Sequence, residues 1–293
     1  MNIQALRTFL EIASQNQFAR AAVRLNYAQS SVTAQIKALE NELGQKLFQR
    51  GRKGAELTEA GLRLLPYARQ IVDLEVAAKE SAQAIPEYTG SVVISTVESI
   101  SAYRLPPLFK YFQHLAPHAK IEFKTLFDRE IYSGLKTGTT DVAFVIEKNV
   151  QLDFASVAKI GDEGVSLYVR PDHPLAFYKP SLEELAAYCF LLWGQKGSYI
   201  DAFEGLVLEA GFPTLKTIDI INVETIKQCA IEGVGVALLL DICVKKEVES
   251  GTLVRVDWEF PQVFSSYLVW NKHKVQSRTV ELFITTCREY FYL

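Results

Sequence analysis

The chain is poor in the residues that carry metal and nucleophilic chemistry. It has only four histidines, His114, His118, His173 and His273. An enzyme on a scaffold of this size needs a nucleophile–base pair or a metal cluster. His114 and His118 stand four residues apart, but Pro117 lies between them and no acidic ligand is adjacent, so no zinc site is expected. The four cysteines, Cys189, Cys229, Cys243 and Cys287, show no C-x-x-C spacing and no neighbouring histidine, and read as buried thiols rather than a redox pair or a metal cage. No stretch approaches the ~18 uninterrupted apolar residues of a membrane span. The opening MNIQALRTFLEIASQNQ has polar residues inside every apolar run, unlike a secretory leader. These absences argue against an enzyme and against an exported solute receptor. A cytoplasmic protein with no membrane partner, no metal and no cofactor is expected.

What is present is ordinary globular material, 293 residues of which 49% are hydrophobic and 22% charged, enough for two or three domains. The net charge of −3 conceals an asymmetry. Residues 1–55 hold eight Lys or Arg against three acids, whereas the remainder holds 23 basic against 31 acidic residues. A small basic head on an acidic body implies that only the head meets a polyanion.

Periodicity then organises the head. Ile3, Leu6, Phe9, Leu10 and Ala13 form the stripe of an amphipathic helix, and a second short helix spans about 18–25 with Ala21, Ala22 and Leu25 inward. After the turn Asn26-Tyr27-Ala28, a third helix over about 29–43 buries Val32, Ile36, Leu39 and Leu43. It leaves Gln29, Ser30, Thr33, Ala34 and Lys37 on the opposite side, and Gly44 stops it. Two short strands, 47–50 and 55–57, flank Gly51-Arg52-Lys53-Gly54, a basic hairpin that reads as a wing. From the N-cap Thr58 a long helix runs to about Ile85, before Pro86, with Pro66 expected to loosen it. Its 4-3 apolar repeat includes Leu64, Ala68, Ile71 and Ala78, a seam for self-association.

Beyond Gly90, short β-rich runs alternate with helices: strands at 91–96, 120–126 and 141–146 around helices at 102–115 and 131–135, then a second unit from about Gly161. The second unit holds strands at 165–169, 190–193, 217–221, 236–240 and 253–256. Its helices include one opened by the capping box Ser181…Glu184, and others at 199–210 and 225–232. The strand 267–270 and helix 278–290 return to the first unit. Such alternation predicts mostly parallel α/β sheets.

An α-helix fits the DNA major groove, and Gln29, Thr33 and Lys37 recur at i, i+4 and i+8 on one drifting stripe. Glutamine can pair with adenine, threonine offers a hydroxyl and a methyl, and lysine reaches guanine or phosphate. Arg50, Arg52 and Lys53 of the wing suit phosphates or a minor groove. Polarity alone would equally describe a solvated helix face and a basic turn. The order of residues is more specific. Phe18-x-Arg20-Ala21-Ala22-x-x-Leu25, Gln29-x-x-Val32-Thr33-x-Gln35-Ile36-x-x-Leu39-Glu40, Leu43-Gly44-x-x-Leu47-Phe48-x-Arg50 and Leu57-Thr58-x-Ala60-Gly61 resemble the signature of LysR-type transcriptional regulators.

The resemblance implies a winged helix-turn-helix (1–58), a linker and dimerisation helix (59–87) and a periplasmic-binding-protein-like effector domain (88–293). Subdomain I of that domain would cover about 88–161 and 266–293, and subdomain II about 162–265. It further implies a homodimer or tetramer on double-stranded promoter DNA, an effector bound between the subdomains, and RNA polymerase as a candidate further partner. The chain departs from the family pattern at Gln17, Ala19, Ala28, Ser30 and Ala34, where hydroxyls, proline or arginine are common, so the operator cannot be carried over from a relative.

Ligands of open α/β sheets lie beyond strand carboxyl ends, near helix N-termini. Three segments fit, and they nominate Ser99, Ile100 and Ser101, then Ser198 and Tyr199, then Thr225; Ser99 matches the family's common liganding hydroxyl. Free N–H groups there favour a small carboxylate. Glu98 and Glu224 stand beside the same turns and would suit a neutral or cationic ligand instead. Asp141 and Glu40 are read as structural.

Overall fold

The computed structural model describes residues 1–51, 54–81, 88–126, 128–194, 197–212 and 215–293. The head begins with three helices, α1 (Ile3–Gln15), α2 (Phe18–Leu25) and α3 (Gln29–Leu43). Asn2 caps α1 by accepting the Gln4 amide at 2.7 Å, and Asn16 and Asn26 close α1 and α2 in the left-handed region that asparagine tolerates. Hairpin β1 (Phe48–Gly51) and β2 (Gly54–Leu57) pairs Phe48 with Leu57 and Gly51 with Gly54. Leu6, Phe9, Ile12, Ala21, Val32, Ile36, Leu39 and Leu47 form the head's core, and the rings of Phe18 and Phe48 meet at its edge.

Helix α4 (Glu59–Ser81) leaves the hairpin with Thr58 as its cap, the hydroxyl accepting the Gly61 amide at 3.1 Å, and it runs unbroken through Pro66. A Cβ on Gly61 would lie 2.3 Å from the Leu47 carbonyl oxygen, so only glycine lets α4 approach the wing base this closely.

The first α/β unit contains β3 (Ser91–Thr96), α5 (Glu98–Tyr103), α6 (Pro106–Leu115), β4 (Lys120–Thr125), α7 (Asp128–Thr137), β5 (Val142–Glu147) and β6 (Ala155–Glu163). The second contains β7 (Val165–Val169), α8 (Leu182–Leu185), β8 (Cys189–Trp193), α9 (Ser198–Glu209), β9 (Lys216–Ile220), α10 (Val223–Ile231), β10 (Val236–Leu240), α11 (Lys245–Ser250) and β11 (Val254–Arg255). The chain then recrosses through β12 (Phe264–Asn271) and ends in α12 (Arg278–Tyr290). Sheet orders are β4-β3-β5-β12-β6 and β11-β7-β10-β8-β9. The central strands β5 and β10 are almost wholly buried, which is why their sequences are continuous apolar runs.

Three expectations are corrected. The sheets are mixed rather than mostly parallel, because β12 runs antiparallel to β5 and β6, and β7 runs antiparallel to β10 and β11. The single helix expected over 102–115 is two, since Pro106 occupies the first helical position, where its missing N–H costs nothing, and so starts a new helix. Strand β6 went unforeseen because its sequence, ASVAKIGDE, is that of a largely polar edge.

Candidate DNA interface and effector cleft

Helix α3 turns Val32, Ile36 and Leu39 into the core and leaves Gln29, Ser30, Ala34 and Lys37 exposed, with Thr33 half-buried. The Thr33 hydroxyl donates to the Gln29 carbonyl at 2.9 Å, so its proton is engaged within the helix. Neither Ala28 nor Gln17 supplies a side-chain cap, in keeping with the small and long side chains at those positions.

The three acids of residues 1–55 are all neutralised inside the fold. Glu11 pairs with Arg24 at 3.4 Å, Glu42 with the N-terminal amine, and Glu40 with Lys46 at 2.8 Å. Glu40 is buried and also accepts the Leu47 amide at 2.9 Å. Burial pushes its carboxyl up, but Lys46 and the Leu47 amide outweigh that and hold it below the usual range. Arg20 and Lys37 make no ion pair among the described residues.

A groove separates α3 from the wing, walled by Thr33 and Lys37 on one side and Gln49, Gly51 and Gly54 on the other. The wing is pinned to the end of α1. The Ala55 amide donates to the Asn16 carbonyl at 2.7 Å, and Gly54 at φ +126° lies so near that a Cβ would come within 2.2 Å of the same oxygen. Arg52, Lys53 and the Arg50 side chain lie outside the described residues.

The seam expected on α4 is corrected in part. Ala68 is fully buried against its own head, and Leu64 and Ile71 pack on the same core, because the head's three helices need α4 to cover their apolar side. Ala78 is exposed. The large apolar side chains that α4 presents among the described residues are Leu62, Tyr67 and Leu74; the last two with Ala78 follow i, i+7 and i+11 along one flank.

Between the two α/β units lies a small recess with room for about one water molecule. Its walls bring together Ser99, Ser198 and Tyr199 from the nominated set. Ile100, Ser101 and Thr225 are not among its lining. Ile100 is wholly buried in the core because it lies on the inward face of α5. Ser101 donates to the Glu98 carbonyl at 2.6 Å, and Thr225 bonds its own helix cap, Asn222, at 3.1 Å. The lining also includes Asp128, Ile146 and Trp193, which sequence reasoning missed. Asp128 opens a helix directly after a strand, so the rule that nominated the other segments would have found it.

The recess is latched by contacts between the units. Ser198 Oγ donates to the Ile146 carbonyl at 2.6 Å. Glu98 Oε1 accepts Asn222 Nδ2 at 2.9 Å and the Val223 amide at 3.3 Å, so a carboxylate of the first unit sits at the N-terminus of α10 in the second. Lys227 of α10 places its ammonium 5.3 Å from the Tyr103 ring centroid of α5 while pairing with Glu224 and Glu247, each at 2.8 Å.

Burial, with Asp201 adding to it, raises the Asp128 carboxyl to about 6. Burial followed by Asp128 raises Glu147 to about 7, although the Tyr132 hydroxyl donates to it at 3.3 Å. The cysteines are all free, and burial pushes the thiols of Cys243 and Cys287 up, which leaves them poor nucleophiles. Among the described residues no cluster of His, Cys, Asp or Glu could hold a metal, and no helix is long and apolar enough to cross a membrane.

A basic winged head, a long helix and a two-lobed α/β body together define a ligand-responsive DNA-binding regulator. Residues 3–62 match the bacterial regulatory helix-turn-helix protein, lysR family, and residues 87–292 match the LysR substrate binding domain. The chain belongs to the LysR family of transcriptional regulators, a family of regulators rather than of enzymes. It is similar to the uncharacterized HTH-type transcriptional regulator YwqM of Bacillus subtilis (strain 168), 33% identical over 99% of this chain and 100% of that protein. Its fold is similar to a full-length variant of OxyR from Pseudomonas aeruginosa, with a TM-score of 0.77 at 24% identity over 98% of this chain and 95% of that one. It is likewise similar to LysG from Corynebacterium glutamicum with bound effector Arg, with a TM-score of 0.69 at 21% identity over 100% of this chain and 98% of that one. The protein is thus a DNA-binding transcription regulator with an effector-binding domain.

Proposed function

We propose that the chain reads promoter DNA with Gln29, Ser30, Thr33, Ala34 and Lys37 in the major groove, and with Arg50, Arg52 and Lys53 of the wing on the backbone or minor groove. The observation behind this reading is the head's charge balance. The three acids of residues 1–55 are paired inside the fold, which leaves Arg20, Lys37 and the wing's cations for a polyanion. A gel shift with genomic promoter fragments tests it; failure to retard any fragment in preference to random DNA would count against it.

The effector occupies the recess between the units, touching Ser99, Ser198 and Tyr199. Support for a carboxylate on it comes from α9, whose N-terminus lines the recess without a side-chain cap. Domain limits of 1–58, 59–87 and 88–293 follow from the same reading, as does a cytoplasmic protein working beside RNA polymerase. Two copies associate through the flank Tyr67, Leu74 and Ala78 of α4, and dimers pair into a tetramer.

A further inference from the structure

We propose that the effector carries a small organic cation, whose ammonium or guanidinium group binds Asp128 in the recess between the units. This rests on the reading of that recess as the effector site, and it adds the ligand's charge. Asp128 lines the recess, and its Oδ1 is buried with no hydrogen-bond partner among the described residues. A carboxylate oxygen in that situation lacks a proton donor. Glu147 at the end of β5 and Asp201 in the first turn of α9 do not line the recess but lie close enough to act on Asp128, so acids of both units gather beside it.

Two further groups independently await a partner. Ser99 and Tyr199, one from each unit, are only 6% and 8% exposed and line the recess. Neither hydroxyl has a hydrogen-bond partner among the described residues. Two unpaired hydroxyls on largely buried side chains lining one recess are acceptors for a polar ligand's N–H groups as well as donors to it.

Of the two helix N-termini that the second unit brings to the recess, that of α10 is already filled, since Glu98 accepts the Asn222 side chain and the Val223 amide there, while that of α9 stays open to a carboxylate of the same ligand. A ligand with anionic groups only would meet that carboxylate and the Asp128 group, with no basic side chain among the described lining residues to offset them. A cation instead relieves the repulsion between acids of the two units, and because the recess holds only about one water the lobes must part to admit it. Burial and mutual repulsion disfavour the charged forms of Asp128 and Glu147.

The test uses the full chain and linear five-carbon probes that differ only in their end groups: 1,5-diaminopentane, 5-aminopentanoate, glutarate and 1,5-pentanediol. Thermal denaturation at millimolar probe is read beside the fluorescence of a variant whose sole tryptophan is Trp193, made by Trp258→Phe and Trp270→Phe. The diamine or the amino acid is expected to raise Tm and to shift Trp193 emission. The apparent Kd should weaken at least tenfold in Asp128→Asn, a near-isosteric change whose folding is checked by its own Tm. A shift by glutarate alone, with Trp193 responding, overturns the cation while keeping the recess as the effector site. A Tm shift that leaves Trp193 emission unmoved overturns the recess reading itself. No response to either amine overturns the cation.

Discussion

Lys274 joins the linker helix to the effector domain, reaching Asp73 of α4 at 2.9 Å and Asp141 of the first unit at 2.6 Å. The ammonium is almost fully buried, and Asp141 is anchored in turn by the Val93 amide at 2.8 Å. Burial pulls the Lys274 ammonium down, and the two carboxylates more than compensate, holding it above its ordinary value and charged. Replacing Lys274 by Met leaves Asp73 and Asp141 facing each other without the ammonium between them, with only Arg69 nearby to offset Asp73. The expected cost is about 3–5 kcal/mol in a urea melt. Adding Asp73→Asn should recover part of it; equal stability of the single and double variants would show that the junction is not electrostatic.

Base readout should reside on α3. Gln29→Ala is expected to weaken binding to the preferred site by roughly 1–3 kcal/mol and to relax base preference there. Equal weakening on random DNA would assign Gln29 to the backbone instead.

The wing's cations should act through phosphates. Arg52→Ala with Lys53→Ala is expected to lower the slope of log K against log salt by about one to two. An unchanged slope would place the wing off the DNA.

Association should depend on the exposed flank of α4 and not on its inward face. Leu74 is 52% exposed, so Leu74→Asp should shift sedimentation toward monomer with the head's melting unchanged. Ile71 packs on the head's core, so Ile71→Asp should lower the head's melting temperature. The reverse pattern would return the seam to the 4-3 repeat.

The acidic cluster beside the recess should cost stability as pH rises. Glu147 titrates at about 7 in the fold, raised by burial, then Asp128 and Asp201, and eased by Tyr132, against 4.5 for an ordinary glutamate. The unfolded chain therefore loses this proton first, and stability falls as pH climbs from about 4.5 to about 7. Glu147→Gln should raise Tm at pH values above that window by about 2 °C or more, and have less effect below it. A gain independent of pH would mean that packing, not charge, is responsible.

Much of this was legible without coordinates. The helices of the head, the caps at Thr58 and Ser181, and the turn at Asn26 follow from local chemistry, in which a side chain satisfies a backbone group a few residues away. The split at Pro106 is equally local and could have been read from proline's missing N–H. Strand β6 was not readable, because an edge strand with polar residues on its open face lacks the alternation that marks a half-buried one.

The recess divides along the same line. Ser99, Ser198 and Tyr199 were nominated because strand ends and helix starts are visible in sequence, whereas Ile100, Ser101 and Thr225 are neighbours that the helix turn carried elsewhere. What the sequence by itself determined is the order of elements, the basic head and the stripe Gln29–Thr33–Lys37, all set by spacing along the chain. Only the tertiary structure decided that Ala68 belongs to the head rather than to a partner, that Glu98 latches α10, and that Asp128, Glu147 and Asp201 lie near one another. Those facts depend on which faces meet when two units of 3.6-residue and 2-residue periodicity pack. Residues 98 and 222 become neighbours there across a stretch of chain that no local pattern records.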